Sequence, residues 1–401
     1  MNTPLAAAAP EQPALRTKTA ATPDEMVACA VALAARLRER AGRCAAQRRI
    51  PAETIADYHD AGFFRLAQPH RYGGYEMGWD VHCRISQILA EADGSQGWIA
   101  CIVAGHAQMV ATFPPEAQDE VWGRNERAVV SASFDPNGRA RRVPGGFRFS
   151  GHHKFASGID YSQWLICGGF IEQGDRLDGP HFFLVPTADV TVIDDWDTLG
   201  LEGTGSKSFE VRDLFLPAHR MLDGELARIG NGPGTAVNKA PIFRTPRGGI
   251  TSTGFASVTV GMAKSVLEEW LLLTGPRKSK GIAVAHQPGS LFAAAEASAA
   301  IDAAEALYSG TITRSMRVLE AGGRLDDFDL LTARRNVSFA CKLALEAGYR
   351  LFSAAGANAL FNRQRLSQQY RNLLASGAHF SVAWDVHGPT YGKKLLERYA
   401  G

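Results

Sequence analysis

Apolar residues recur along this chain with two different periods, and the switches between them divide it into three parts. Up to about residue 126 the period is helical. Met26, Ala30, Leu33 and Leu37 repeat along one face, with arginines on the other. That helix opens on Thr22-Pro23-Asp24-Glu25, which combines a threonine cap, proline in the first turn, acidic residues near the positive end and a Thr-x-x-Glu capping box. Pro51 opens a second helix that stops at Gly62, and Gln68 to Trp79, with Gly73-Gly74, reads as a crossing loop. Val81, Ile85, Ile88 and Leu89 form the stripe of a third helix, ended by Gly94-Ser95. On a fourth, from about Gln96 to Phe113, Trp98, Ile102 and His106 stand at i, i+4 and i+8 and so share one broad face. Pro114-Pro115-Glu116 caps a short helix ending near Gly123.

From Ala128 the alternation becomes that of strands: Val129 to Phe134, Arg141 to Ser150 folded at Pro144-Gly145-Gly146, Gln163 to Ile171, His181 to Val185, Val190 to Ile193 and Ser208 to Leu216. Short strands at this spacing predict a small barrel or a pair of packed sheets. After the linker Gly230 to Gly234 the helical period returns. Ile250 to Leu273 carries a stripe of small residues (Gly254, Val258, Gly261), Leu291 to Leu319 is alanine-rich, and Leu330 to Phe352 and Leu366 to Tyr399 complete a four-helix bundle. The expectation is therefore a mostly α protein with an inserted β domain: a helical part over 22–126, a β part over 127–228 and a bundle over 235–401, preceded by an Ala/Pro/Thr-rich disordered tail over 1–21.

Composition changes this picture little. The chain has 401 residues with 43 basic and 41 acidic side chains, a net of +2, which gives no reason to expect nucleic acid or an anionic membrane as partner. Its six cysteines form no Cys-x-x-Cys pair, which suits reduced thiols in a cytoplasmic setting rather than a disulfide framework or a zinc site. Apolar runs such as Trp164 to Ile171 are too short to span a bilayer.

Candidate chemistry is narrowed first by what is missing. No Gly-x-Gly-x-x-Gly opens a βαβ unit, no Gly-Lys-Ser/Thr loop is present, and no dense His/carboxylate cluster suggests a metal. Two glycine-punctuated stretches stand out instead. The first, Gly146 to Gly169, places Ser157 between Gly151 and Gly158, where a flat group could approach the backbone; alone, Ser157-Gly158 is also an ordinary turn. The second, Trp196 to Pro217, contains Gly200-Leu-Glu-Gly-Thr-Gly-Ser206 and ends Val-Arg-Asp-Leu-Phe-Leu-Pro. His106 alone would read as a core histidine bonded to a carbonyl.

Together with the flanking helices these stretches resemble the acyl-CoA dehydrogenase superfamily, and more closely its flavin-dependent monooxygenase branch, the oxygenase components of two-component aromatic hydroxylases. The resemblance runs from about Ile50 almost to the C-terminus. It implies the fold outlined above, a diffusible reduced FMN or FAD delivered by a separate NAD(P)H:flavin reductase, O2 as cosubstrate, a C4a-hydroperoxide that oxygenates a phenolic, polycyclic or indolic ring, and a homodimer or homotetramer. By the same resemblance Trp98 and His106 line the substrate pocket with His106 near a phenolic oxygen, and Ser131 or Ser133 supplies a hydroxyl beside substrate. Ser157 lies near flavin N5, Trp196 and Ser206 shape the cavity, Arg247 binds flavin or phosphate, and Gly356 and Asn358 meet the phosphate end across a subunit interface. Acyl-CoA dehydrogenases place a glutamate near Asn372 to Val382; this stretch has no Asp or Glu and carries His379, which the resemblance sets beside the reactive flavin carbon, with His387 as competitor. Other readings are an acyl-CoA dehydrogenase-like flavoenzyme, oxygenation at nitrogen or sulfur of a heteroaromatic, and a non-catalytic helical scaffold.

Overall fold

The computed structural model describes residues 21–399, so the expected tail lies outside the described residues but for its last position. Five helices form the first part: α1 (Pro23–Gln47), α2 (Ala52–Asp60), α3 (Trp79–Ala92), α4 (Gly94–Val110) and α5 (Pro115–Trp122). The capping box of α1 forms as its sequence suggests: the Thr22 hydroxyl accepts from the Glu25 amide at 3.3 Å, and the Glu25 carboxylate accepts from the Thr22 amide at 2.8 Å. The Met26, Ala30, Leu33 and Leu37 stripe is fully buried.

Seven strands follow: β1 (Val130–Val143), β2 (Gly146–Ala156), β3 (Trp164–Gln173), β4 (Arg176–Pro186), β5 (Thr191–Ile193), β6 (Lys207–Pro217) and β7 (Met221–Leu222). They hydrogen-bond as one sheet in the order β5-β6-β2-β1-β3-β4-β7, antiparallel except for the β1–β3 pair. The expected barrel or sandwich is thus a single sheet whose end strands, β5 and β7, do not pair with each other. β1 shifts register between Ser133 and Gly138, and β2 shifts against β6 on either side of Gly151–His153, so the long strands bend instead of a second sheet forming. Alternation then gives each face its own core. Leu165, Cys167, Phe183, Val185 and Phe209 pack among themselves, whereas Ile166, Phe182 and Leu184 point the other way and join the helical core.

The helical period resumes with the short α6 (Gly224–Arg228), then α7 (Thr253–Thr274), α8 (Pro288–Glu320), α9 (Asp327–Ala354), α10 (Arg365–Ser376) and α11 (Trp384–Glu397). α7 packs on α8, α9 and α10 and also along α3, which fuses the bundle to the first helical part. Gly261 on α7 permits that contact: a Cβ there would lie 2.5 Å from the Gln87 carbonyl of α3. The helix expected over Leu366 to Tyr399 is interrupted. Residues 377–383 form a turn in which His379 Nδ1 accepts from the Ser381 amide at 3.1 Å and His387 Nε2–H donates to the Phe380 carbonyl at 3.0 Å, so side chains hold the break open.

Candidate functional site

Three parts of the chain meet around Ser157. It is the first residue after β2, and Gly158 beyond it adopts φ +76°, a conformation open to glycine; a Cβ there would stand 3.1 Å from Val103 of α4. The turn is thereby pressed against α4. Trp98 Nε1–H of that helix donates to Ser157 Oγ at 3.2 Å, Ser157 Oγ is 2.8 Å from Ser206 Oγ, Ser206 Oγ is 2.7 Å from Thr204 Oγ1, and Thr204 donates to the Leu201 carbonyl at 2.8 Å. The Gly-Leu-Glu-Gly-Thr-Gly-Ser stretch is glycine-rich because it is clamped. A Cβ on Gly200 would sit 2.1 Å from the Arg371 carbonyl of α10, and one on Gly203 would sit 2.2 Å from Cys44 of α1. Asn372 of α10 closes the junction, accepting from the Leu201 amide at 2.7 Å.

His379 packs against the same indole that donates to Ser157. Its ring stacks on Phe255 of α7 with centroids 4.0 Å apart and meets Trp98 edge-on at 5.8 Å; Trp98 and Phe255 are 5.4 Å apart. Because Nδ1 accepts from the Ser381 amide, the proton of the neutral ring is on Nε2. Loss of water around the ring pushes its pKa down to about 4, so at neutral pH His379 is an uncharged Nε2–H donor.

His106 has the opposite tautomer. Its Nδ1–H donates to the Val130 carbonyl of β1 at 2.9 Å, leaving Nε2 as an acceptor with no hydrogen bond among the described residues. Burial, and then the nearby positive charge of Arg247, lower its pKa to about 4. Phe134 meets the His106 ring edge-on at 5.5 Å and Phe182 in turn at 5.8 Å.

Other expected residues distribute unevenly. Ser131 and Ser133 share a face, but each donates to a backbone carbonyl at 2.7 Å, Ser131 to that of Ser157 just past β2 and Ser133 to that of Lys154 within it; Ser162 then donates to Ser131 at 2.8 Å. Ser131 therefore supports the Ser157 turn directly. Trp196 is half-buried, its Nε1–H bonded to the Leu201 carbonyl at 3.1 Å and its ring set edge-on to Phe155, an aromatic at φ +64° that is 65% exposed. Arg247 lies between Phe134 and Phe182, beside His106. His387 is buried and spent on the Phe380 carbonyl. Gly356 and Asn358 are exposed in a turn where Arg277 donates to the Ala355 carbonyl; none of their contacts reaches the Ser157 cluster within one chain. That turn adjoins an open groove of about 770 Å³ lined by Phe292, Glu346, Tyr349 and Arg350. Sequence reasoning missed Phe255, Thr204 and Asn372. Phe255 was signalled only as an aromatic beside Gly254 in an otherwise small-residue stripe.

The cluster combines apolar and polar surface: the rings of Trp98, Phe255 and His379, the hydroxyl chain that Trp98 joins through Nε1–H, and the Nε2–H of His379. A family profile described as the acyl-CoA dehydrogenase N-terminal domain matches residues 25–124, and that of the C-terminal domain matches 253–384. The oxygenase subunit of a flavin-dependent monooxygenase from Rhodococcus jostii is 34% identical over 352 residues, 87% of this chain and 92% of the relative. The chain belongs to the flavin-dependent monooxygenase branch of the acyl-CoA dehydrogenase superfamily. Another member of this branch, the oxygenase component of an FADH2-dependent resorcinol hydroxylase from a Rhizobium species, is 32% identical over 87% of this chain and 88% of its own. The crystal structure of a 3-HSA hydroxylase from Rhodococcus sp. RHA1 superposes with a TM-score of 0.89 at 32% identity, covering 93% of this chain and 97% of that one. As a flavin-dependent monooxygenase this chain has a redox enzyme's task, and no helix among its described residues is long and apolar enough to cross a membrane.

Proposed function

We propose that this chain is the oxygenase component of a two-component system, taking reduced FMN or FAD from a separate reductase and hydroxylating a small aromatic substrate. The observation that carries this reading is a pair of uncharged imidazoles of opposite tautomer beside α4: His379, edge-on to Trp98, offers a proton, and His106, eight residues further along the helix, offers a lone pair. A reduced flavin held here would, with O2, supply the electrophilic oxygen. Ser157, with Ser206 behind it, would accept from or donate to the flavin, since a hydroxyl in a chain of hydroxyls can rotate to either role. His379 would offer its Nε2–H to the group without carrying charge at neutral pH. His106 Nε2 accepts the hydrogen bond of a substrate hydroxyl or ring N–H and raises electron density in the ring. The aromatic walls exclude water, which protects reactive oxygen from loss.

The acyl-CoA dehydrogenase reading lacks support, because the segment that places His379 provides no carboxylate to remove an α-proton. Exposed Leu291, Phe292, Tyr349, Leu360 and Phe361 around the remote Gly356–Asn358 turn support an oligomer in which that turn serves a neighbouring copy's flavin. Mixing the protein anaerobically with reduced FMN or FAD, adding heavy-isotope O2 and an aromatic panel, should give a product with one labelled oxygen. Reoxidation as fast as free flavin, with no labelled product from any ring, would refute the reading.

A further inference from the structure

The two roles open to Ser157 are not equal, because the hydroxyl chain behind it has a source at one end and a sink at the other. Trp98 Nε1–H can only donate, and it reaches Ser157 Oγ at 3.2 Å; the Leu201 carbonyl can only accept, and it takes the Thr204 hydroxyl at 2.8 Å. Between them stand the buried hydroxyls of Ser157, Ser206 and Thr204, with one proton each. Thr204 spends its proton on Leu201, so the 2.7 Å contact between Ser206 and Thr204 uses the proton of Ser206. The 2.8 Å contact between Ser157 and Ser206 then uses the proton of Ser157. Run in this direction the chain satisfies every member, and Ser157 keeps a free lone pair but no free proton. The sink is firmly held. The Leu201 amide donates to Asn372 at 2.7 Å, its carbonyl also accepts from Trp196 Nε1–H at 3.1 Å, and the Thr204 carbonyl accepts from the Gly158 amide at 3.1 Å. Reversing the chain gives up the bond from Thr204 to Leu201 and leaves the Ser157 proton without an acceptor among the described residues.

We propose that Thr204, two hydroxyls removed from Ser157, is a positioning residue that gives this chain its direction, so that Ser157 meets a bound ring as an acceptor and favours a ring carrying an N–H. This rests on the oxygenase reading and gives a physical source to its choice between redox forms. Reduction turns a ring nitrogen of an isoalloxazine from an acceptor into an N–H donor. An acceptor at Ser157 therefore suits the reduced ring, and the oxidised ring is matched only after the chain is reversed, at the expense of the bond from Thr204 to Leu201.

The test is the pair of dissociation constants for oxidised and dithionite-reduced FMN and FAD, measured by anaerobic calorimetry on the full chain for wild type, T204V, T204S and S206A. Wild type should bind the reduced form of at least one flavin about tenfold or more tightly than its oxidised form. T204V keeps the side-chain volume but removes the hydroxyl, so Ser206 can turn its proton toward Ser157, and Ser157 its own toward the ring. The oxidised form should then bind about three- to tenfold more tightly, the worth of one hydrogen bond, while the reduced form stays within about twofold of wild type. T204S retains the hydroxyl and should keep the wild-type ratio. S206A cuts the chain one link nearer to Ser157 and should move the ratio as T204V does, which keeps the inference readable if T204V folds poorly. A residue that merely supports the fold would weaken both redox forms together. Equal affinities in wild type, parallel weakening of both forms in T204V and S206A, ratios unchanged in these two variants, or a T204S ratio matching that of T204V would each overturn the directed chain. Turnover keeps the readings apart: labelled product with any of those results sinks only this inference, and the expected ratios without labelled product sink only the oxygenase reading. Failure of every flavin form to bind sinks both.

Discussion

His106→Asn separates the two nitrogens of the proposed substrate-side imidazole. An asparagine amide can overlay Nδ1 and keep the 2.9 Å bond to the Val130 carbonyl, but it has nothing at the place of Nε2. The fold should therefore lose little, within about 1 kcal/mol, because the buried carbonyl keeps its donor. Hydroxylation should fall by about 10²- to 10⁴-fold, the usual worth of a positioned proton acceptor, equivalent to about 2.7–5.4 kcal/mol of barrier. The assay is product formed per O2 consumed with reduced flavin supplied chemically, so that no reductase limits the rate. O2 consumption should continue while product yield collapses, since His379 and Ser157 are untouched. The sign of the pH dependence is equally specific. The working form is the neutral ring, and its pKa is depressed to about 4, so the wild-type rate should stay level as pH falls from 8 to about 5.5. H106N with undiminished product yield, or a wild-type acid limb centred near the ordinary histidine value of ~6.5 that vanishes in H106N, would refute the assignment.

His153 makes the clearest stability prediction. It is fully buried in the sheet core between Phe149 and Phe209, both ring nitrogens lack partners, and its pKa is pushed down to about 4 by burial. The native ring sheds its proton before the unfolded one does, so stability rises with pH from about 4 to 6.5, and at pH 5 the ring costs about 2 kcal/mol. Asp93, raised to about 6, runs the other way between about 3.8 and 6 in both proteins. H153F should melt higher than wild type and lose less on moving from pH 7.5 to pH 5; equal losses by calorimetry would refute this. Ser157→Ala leaves the Trp98 N–H without its acceptor, costing about 1–3 kcal/mol, and W98F in the same chain should recover part of that; strictly additive denaturant midpoints would dissolve the proposed chain of bonds. Gly158→Ala forces a side chain into φ +76° against Val103 and should cost about 1–2 kcal/mol or more, with unchanged urea stability as the contrary result.

The strand and helix spans lay close to the surface of the sequence because burial imposes a period on each. The α1 cap, the β1–β2 turn at Pro144–Gly145 and the alternation through Leu165 to Cys167 all follow from local rules. The His379 turn did not. Apolar spacing continues through Leu366 to Tyr399, and single glycines such as Gly377 are tolerated inside helices, so nothing periodic marks the interruption; it is fixed by side-chain bonds to amides and carbonyls. The meeting of Trp98, Phe255 and His379 is likewise a product of packing among α4, α7 and the turn after α10, which no single stretch encodes. Arg247 was legible as a cation near a glycine pair, but its isolation between two phenylalanines appears only in three dimensions.

Hanging an imidazole from a gap between two helices also gives it adjustability. Residues 377–383 are joined to the bundle at both ends and pack on α9 and α7, but α7 also meets α9 and α10 directly, so a residue added or removed there would shift where the N–H points while the helices keep contacts of their own. Laboratory evolution aimed at a different ring or a different site of oxygen delivery has in that loop a dial that can be turned without rebuilding the scaffold.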